Sequence, residues 1–165
     1  MRTKAGLVPA VGLAMATPKF PEPTILPLAK TTPKGNSLMT KHEALVDAVG
    51  YLNGAFTNPD SQAYKLRNPL MVRSFARPGK HESSTTGYRI FTSMLAGYRA
   101  ALYDLELKLE GKSRAGIKTT DALGNLLRVY EIKSESDMDK VVGFLRKALG
   151  DPSISASTPL SFFAK

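Results

Sequence analysis

Apolar residues recur at helical spacing in four segments of the chain, all of them after residue 39. The first segment follows Thr40 and Glu43, which have the spacing of a capping box. Its apolar positions lie three or four residues apart: Leu45, Val49, Leu52 and Phe56. This pattern predicts a helix near 41–53, ended by Gly54 and the turn at Asn58-Pro59.

The longest amphipathic segment begins at Phe91. Its apolar positions trace one helical face: Met94, Leu95, Tyr98, Ala101, Leu102, Leu105 and Leu109. Gly111 follows the last of them, which is typical of a helix C-terminus. The pattern predicts a single long helix between Phe91 and Gly111.

Two shorter helices follow. Thr120 is the predicted N-cap of the first, and Ser134, with Asp137 three residues later, is the predicted N-cap of the second. Gly150 and Pro152 end the last periodic segment. We therefore predict a mainly α fold, a small four-helix domain over residues 40–152. In the irregular stretch 57–90, Val72 to Phe75 or Tyr88 to Phe91 is compatible with a short β-hairpin.

The first 39 residues have a different composition from the rest. Residues 1–37 contain six of the eleven prolines, which remove backbone donors and favour extended conformations. We predict an extended, proline-rich N-terminal arm over 1–39. Its apolar side chains include Phe20, Ile25, Leu26 and Leu28, which are candidate partner-binding residues for a groove on a neighbouring protein. A flexible linker is the alternative reading. Residues 153–165 form an apolar C-terminal tail.

The positive charge is concentrated in the first half of the chain. The formal net charge is +9, and residues 1–80 contain 11 Lys and Arg against 4 Asp and Glu. Such an excess attracts phosphate backbones or acidic protein surfaces. One run without an intervening acid is the candidate contact for phosphate or an acidic partner: Lys65, Arg67, Arg73, Arg77 and Lys80. The plain alternative is a solvated loop.

Composition argues against several kinds of site. The chain has no Cys and two His, so neither a disulfide framework nor a Cys- or His-based zinc site is expected. No apolar run approaches the roughly 20 residues that cross a bilayer, so no membrane span is expected. The segment from Gly111 to Gly116 lacks the spacing of a phosphate-binding loop. No cofactor and no metal are predicted.

Three patterns occur in a fixed order across about residues 64–152. They are R-N-P-L-M-V-R from Arg67, F-T-S-M-L-A-G-Y-R-A from Phe91, and Y-E-I-K-S-E-S-D from Tyr130. In order and spacing they resemble the motifs of phage virion structural proteins and related lytic-transglycosylase-like modules. That family has R-N-N-N-P-G-N-I-R, then F-x-S-P-E-x-G-Y-R-A-L with a following D-L and Lys, then Y-A-P-P-S-E-N-D-T. The positions that match are Asn68, Pro69, Arg73, Phe91, Ser93, Gly97, Tyr98, Arg99, Ala100, Asp104, Leu105, Lys108, Tyr130, Ser134, Glu135 and Asp137, with Leu149 and Gly150 closing the pattern.

The departures from the family pattern bear on activity. Leu70 and Met71 stand where the family has Gly-Asn, and Leu95 stands where the second motif has Glu. The Pro-Pro pair of the third motif is replaced by Ile132-Lys133. If the lost Glu supplied a carboxylate, an enzyme of this kind lacks one of its acids here.

Glycoside cleavage needs a positioned carboxylic acid, often with a second carboxylate nearby. The candidate catalytic residues are Glu135 and Asp137, although both also suit the first turn of a helix, where they interact favourably with its dipole. The resemblance implies a virion protein. We expect a non-catalytic structural or assembly module whose arm binds neighbouring virion subunits. Two alternatives stay open: a virion-associated peptidoglycan hydrolase, and a DNA-associated basic protein that contacts packaged DNA.

Overall fold

A computed structural model of the 165-residue chain describes residues 39–73 and 85–164. The predicted N-terminal arm, apart from Met39, lies outside the described residues. So do Arg77 and Lys80. The described part is mainly α-helical, which confirms the predicted fold class.

The described part contains five α-helices: α1 Lys41–Leu52, α2 Gln62–Lys65, α3 Met94–Leu109, α4 Leu123–Val129 and α5 Glu135–Leu149. A 3-10 turn over Leu160–Phe162 follows. Helix α1 packs against both α3 and α5. Four of the five helices correspond to the predicted segments, and α2 was not predicted. None of the described helices is long and apolar enough to span a bilayer.

The capping box predicted for α1 is present. The Thr40 hydroxyl accepts from the Glu43 backbone N–H at 3.1 Å, and the Thr40 N–H donates to the Glu43 carboxylate at 2.8 Å. The Ser93 and Ser134 hydroxyls cap α3 and α5 by accepting from the backbone N–H groups of Ala96 and Asp137. These polar residues therefore set where three of the helices begin.

The predicted Thr120 cap of α4 is wrong. The N-cap position is Ala122, which makes no side-chain capping bond. Instead, the first two N–H groups of α4, those of Leu123 and Gly124, donate at 2.8 Å to the carbonyls of Thr158 and Ala156. A distant segment of the chain thus satisfies the backbone donors that a capping side chain usually satisfies.

The apolar C-terminal residues lie in the same core as the helices. Ile154, Leu160 and Phe163 are each at most 1% exposed. Ala122 and Pro159 form an isolated antiparallel bridge, and Leu160 N donates to the Asp121 carbonyl at 2.8 Å. These residues belong to the same hydrophobic core cluster as residues of α1 and α4.

The suggested hairpin appears in reduced form. Arg73 and Tyr88 make an isolated antiparallel bridge, and Arg89 N donates to the Val72 carbonyl at 3.0 Å. Within 39–73 and 85–164 no longer strand pairing is present.

Candidate functional site

The first motif is organised around a buried amide. Asn68 is fully buried, and its side-chain nitrogen donates to the carbonyls of Val72 and Arg89 at 2.9 and 3.1 Å. Its side-chain oxygen accepts from the Val72 N–H at 2.8 Å. One amide therefore closes the turn 68–72 and ties it to the chain beyond Gly87. Because a buried polar group must be paired, this position requires an amide.

Leu70, an apolar residue of that turn, faces inward. Leu70 is 1% exposed and belongs to the core. Met71 adopts a left-handed backbone, with φ of 51°, which costs free energy for a residue with a side chain. Leu70 thus adds core packing to the turn.

The second motif packs directly on the first. A Cβ on Gly97 would lie 1.7 Å from the carbonyl oxygen of Arg67, so only glycine fits this approach. The Arg67 guanidinium donates to the Phe91 carbonyl at 3.0 Å, and Phe91 N donates to the Leu66 carbonyl at 3.0 Å. These contacts dock the start of α3 against the turn after α2.

The third motif joins the second through a buried polar cluster. Lys108 is 4% exposed and forms an ion pair with Asp104, one turn earlier on α3. The Tyr130 hydroxyl donates to the same Asp104 carboxylate at 3.0 Å, and the Lys108 ammonium lies 4.9 Å from the Tyr130 ring centroid. Burial, followed by the Asp104 charge, holds the Tyr130 pKa well above its usual value. These three motif residues satisfy one another inside the fold.

A more exposed cluster lies at the bridge between Arg73 and Tyr88. Arg73 pairs with Glu131 and lies 4.8 Å from the centroid of the Tyr88 ring. The Tyr88 hydroxyl donates to Glu131 at 2.6 Å. This bond and the Arg73 contact lower the Glu131 pKa. Arg73 therefore already has an acidic partner within the chain.

Two other members of the basic run, Lys65 and Arg67, lie among the described residues. Lys65, in the last turn of α2, and Arg67 are both exposed, and Arg67 also binds the Phe91 carbonyl. The contact of this basic run with phosphate or with an acidic partner stays a prediction. The arm residues Phe20, Ile25, Leu26 and Leu28 lie outside the described residues.

The two candidate catalytic carboxylates begin α5. Glu135 is exposed, and Asp137 accepts from the Lys140 ammonium at 2.7 Å. That bond, followed by the contact with Ser134, lowers the Asp137 pKa. A general acid needs a raised pKa at neutral pH, so Asp137 is tuned in the opposite direction.

A carboxylate with the opposite tuning lies on α1 and was not among the predicted candidates. Asp47 accepts from the Tyr98 hydroxyl at 2.9 Å, and burial raises its pKa. Glu43, one turn earlier, raises the Asp47 pKa further. The available sequence signal was an acid between the apolar residues Val46 and Ala48.

Half-buried aromatic rings lie beside Asp47. Tyr51 is 5.2 Å from Phe56 and 5.7 Å from Phe144, and Phe56 is 6.3 Å from Tyr98, measured between ring centroids. This row of rings connects α1, α3 and α5. It places a carboxyl group of raised pKa beside an aromatic surface.

Two open clefts lie elsewhere on the described surface. One, of about 390 Å³, is lined by residues that include His42, Glu106 and Lys112. The other, of about 260 Å³, is lined by residues that include Met39, Leu149 and Phe162. Neither is lined by a predicted site residue, and across residues 39–73 and 85–164 no cluster of acids and histidines suits a metal ion.

No protein-family model, curated protein or solved structure matches this chain.

Proposed function

We propose that this chain is a non-catalytic helical building block of a multi-subunit assembly, and that the assembly is a bacteriophage virion. The virion assignment rests on the order of the three motifs. The non-catalytic assignment rests on what the motif residues do in the fold.

The observation that carries the proposal is the use of the motif side chains as internal contacts. Asn68 closes a turn, Gly97 permits a backbone approach, and Ser134 caps a helix. Asp104 and Lys108 pair inside the fold. A motif preserved for a reaction would direct such groups at a substrate, whereas these groups hold the helices together.

The candidate acids support the same reading. Asp137 is paired with Lys140, and Glu135 lies on the exposed first turn of α5. The family's motif Glu is replaced by Leu95, which is 42% exposed. Neither Glu135 nor Asp137 lines either of the two clefts.

In this proposal the N-terminal arm connects the subunit to its neighbours. The test compares the full chain, a variant lacking residues 1–37, and a full-length variant with the anchors Phe20, Ile25, Leu26 and Leu28 changed to Ser. Both variants should retain helical circular dichroism and fail to enter the parent particle. Incorporation of the Ser variant at the wild-type level would contradict the role of the anchors.

A peptidoglycan hydrolase is the second candidate, and Asp47 is the observation that favours it. Its raised pKa and the adjacent aromatic rings suit a general acid beside a sugar. A zymogram on peptidoglycan separates the two functions, and we expect no clearing from the full chain. Clearing that is lost in Asp47→Asn or Glu135→Gln would replace our proposal with an enzyme.

A further inference from the structure

One surface of the helical part combines two acids with a row of aromatic rings, and we call it the acid–aromatic patch. Glu43, Asp47 and Tyr51 lie at i, i+4 and i+8 on α1, so they form one stripe along the helix. Tyr98 of α3 and Phe56 flank this stripe, through the hydrogen bond to Asp47 and the ring contacts. All five residues are partly exposed, so a second molecule can reach them.

Within residues 39–73 and 85–164, the two acids of the patch form no ion pair with Lys, Arg or His. Their hydrogen bonds come from neutral groups, the Thr40 N–H and the Tyr98 hydroxyl. The ion pairs of this part of the chain involve other acids. Burial raises the pKa of Asp47, and the charge of Glu43 raises it further. A cation docked beside these acids would offset both effects, so the patch is complementary to a positively charged partner.

The fold fixes the aromatic rings of the patch in place. Phe56 lies against α1 at Gly50, where a Cβ would come within 2.4 Å of the ring. The Phe56 centroid is 5.2 Å from that of Tyr51 and 6.3 Å from that of Tyr98. Aromatic surfaces bind proline-rich extended segments, because such segments lose little entropy on docking. The rings therefore favour a proline-rich partner, and the acids favour a basic one.

This chain contains a segment with both properties. Residues 17–35 contain five prolines and three lysines against one acid. Lys19 stands between Pro18 and Pro21, so a cation and two proline rings occur within four residues. Four residues of polyproline helix span about 12 Å at 3.1 Å per residue. The stripe from Glu43 to Tyr51 has the same length, about 12 Å at 1.5 Å per residue.

We propose that the acid–aromatic patch of one copy binds residues 17–35 of a neighbouring copy. The lysines of that segment pair with Glu43 and Asp47, and its prolines pack on the three rings of the patch. The two surfaces in contact differ, so the interface is heterologous and adds one copy after another. This inference rests on the proposed role of the arm, and it names the surface that receives the arm.

Sedimentation equilibrium of the full chain, from about 10 µM to about 1 mM, tests this contact over the range of a weak interface. The wild type should exceed the mass of a dimer at the upper end, because a heterologous contact continues beyond two copies. The patch variant combines Glu43→Gln with Asp47→Asn. It removes both charges, and each amide oxygen still accepts the hydrogen bond that the carboxylate accepted. It should associate at least about tenfold more weakly than the wild type.

The arm variant changes Lys19, Lys30 and Lys34 to Gln and should weaken association to a similar extent. A mixture of the arm variant and the patch variant should form dimers and nothing larger. The arm variant supplies an intact patch and the patch variant supplies an intact segment, so each pair of copies forms one contact. Circular dichroism of every variant checks the fold.

The matched control combines Glu135→Gln with Asp139→Asn. It neutralises two exposed acids at the same i, i+4 spacing on α5 and should associate like the wild type. A wild type or a mixture that stays monomeric throughout, or an equal loss in this control, would overturn the proposal. A loss in the patch variant without a loss in the arm variant would do the same, since another segment would then occupy the patch.

Particle incorporation distinguishes failure of this inference from failure of the proposed function. If deletion of residues 1–37 blocks incorporation while the patch variant associates like the wild type, the arm keeps its role and the patch is rejected as its receptor. If the arm is dispensable for incorporation while the patch and arm variants both lose association, the contact between copies stands and the proposed role in the particle fails.

Discussion

The Tyr130 hydroxyl donates to the Asp104 carboxylate at 3.0 Å, and that carboxylate also pairs with the buried Lys108. This contact joins two sequence patterns that are separated by a turn and a helix. Asp104, Lys108 and Tyr130 depend on one another, since polar groups inside the fold need hydrogen-bond or ion-pair partners.

Asp104→Asn should strongly destabilise the fold. The change leaves the Lys108 ammonium buried without its counter-charge, and removing one partner of a buried ion pair costs about 3 kcal/mol or more. Tyr130→Phe removes one hydrogen bond and should cost about 1 kcal/mol. Denaturant unfolding of each variant measures the free energy of unfolding.

The control for the buried Asp104–Lys108 ion pair is the variant Glu110→Gln. Glu110 pairs with Lys112 at 2.9 Å, but both side chains are exposed, so the loss should stay below about 1 kcal/mol. Equal losses in Asp104→Asn and Glu110→Gln would show that burial of Lys108 is not what makes its ion pair important.

Two helical glycines should respond in opposite directions to alanine. Gly97→Ala places a Cβ 1.7 Å from the Arg67 carbonyl, so the backbones must separate, and we expect a loss above about 3 kcal/mol. Gly143→Ala on α5 meets nothing within 4 Å and should stabilise the fold by about 0.5–1 kcal/mol. Thermal and denaturant unfolding measure both. A mild effect of Gly97→Ala would contradict the close docking of the first two motifs.

The helices that could be predicted from sequence are those whose signals are local. Thr40 with Glu43, and Ser134 with Asp137, lie within one turn of each other, and the structure places both caps as expected. The Thr120 cap was wrong because the donors of α4 bind Thr158 and Ala156, far along the chain. Helix α2 has four residues, too few for a periodic pattern.

The candidate site was harder to predict because its contacts join residues that are far apart along the chain. The motif patterns identify Asn68 and Gly97 but contain no information about what they touch. Their partners, Arg89 and Arg67, are set by tertiary packing. Burial in the packed fold raises the Asp47 pKa, and the hydrogen bond from Tyr98 reaches Asp47 from another helix. Neither periodicity nor spacing encodes that contact.

Stability should depend on pH through Asp47. Burial raises its folded-state pKa above the unfolded value, so the folded state binds the proton more tightly. The Asp47 contribution is therefore lost as pH rises from the unfolded pKa, about 3.9, through the higher folded pKa. Asp47→Asn, whose amide oxygen still accepts from Tyr98, should be more stable than the wild type at pH 7.

The difference between Asp47→Asn and the wild type should disappear at about pH 3, below both pKa values. Chemical unfolding at the two pH values measures it. Asp139→Asn, an exposed change on α5, is the matched control and should show little difference at either pH. A variant that is less stable than the wild type at pH 7 would show that the ionised Asp47 is net stabilising.

Asn68→Asp tests the first motif with almost no change in shape. The carboxylate can still accept from Val72 N, but it cannot donate to the Val72 and Arg89 carbonyls, and it places a charge in a fully buried site. We expect a loss of at least about 3 kcal/mol in the free energy of unfolding. Asn125→Asp is the control, because Asn125 is exposed in the first turn of α4 and contacts Arg128. It should change stability by no more than about 0.5 kcal/mol. If Asn68→Asp were as mild as Asn125→Asp, the buried amide would not be what closes the turn, and the structural role assigned to the first motif would have to be abandoned.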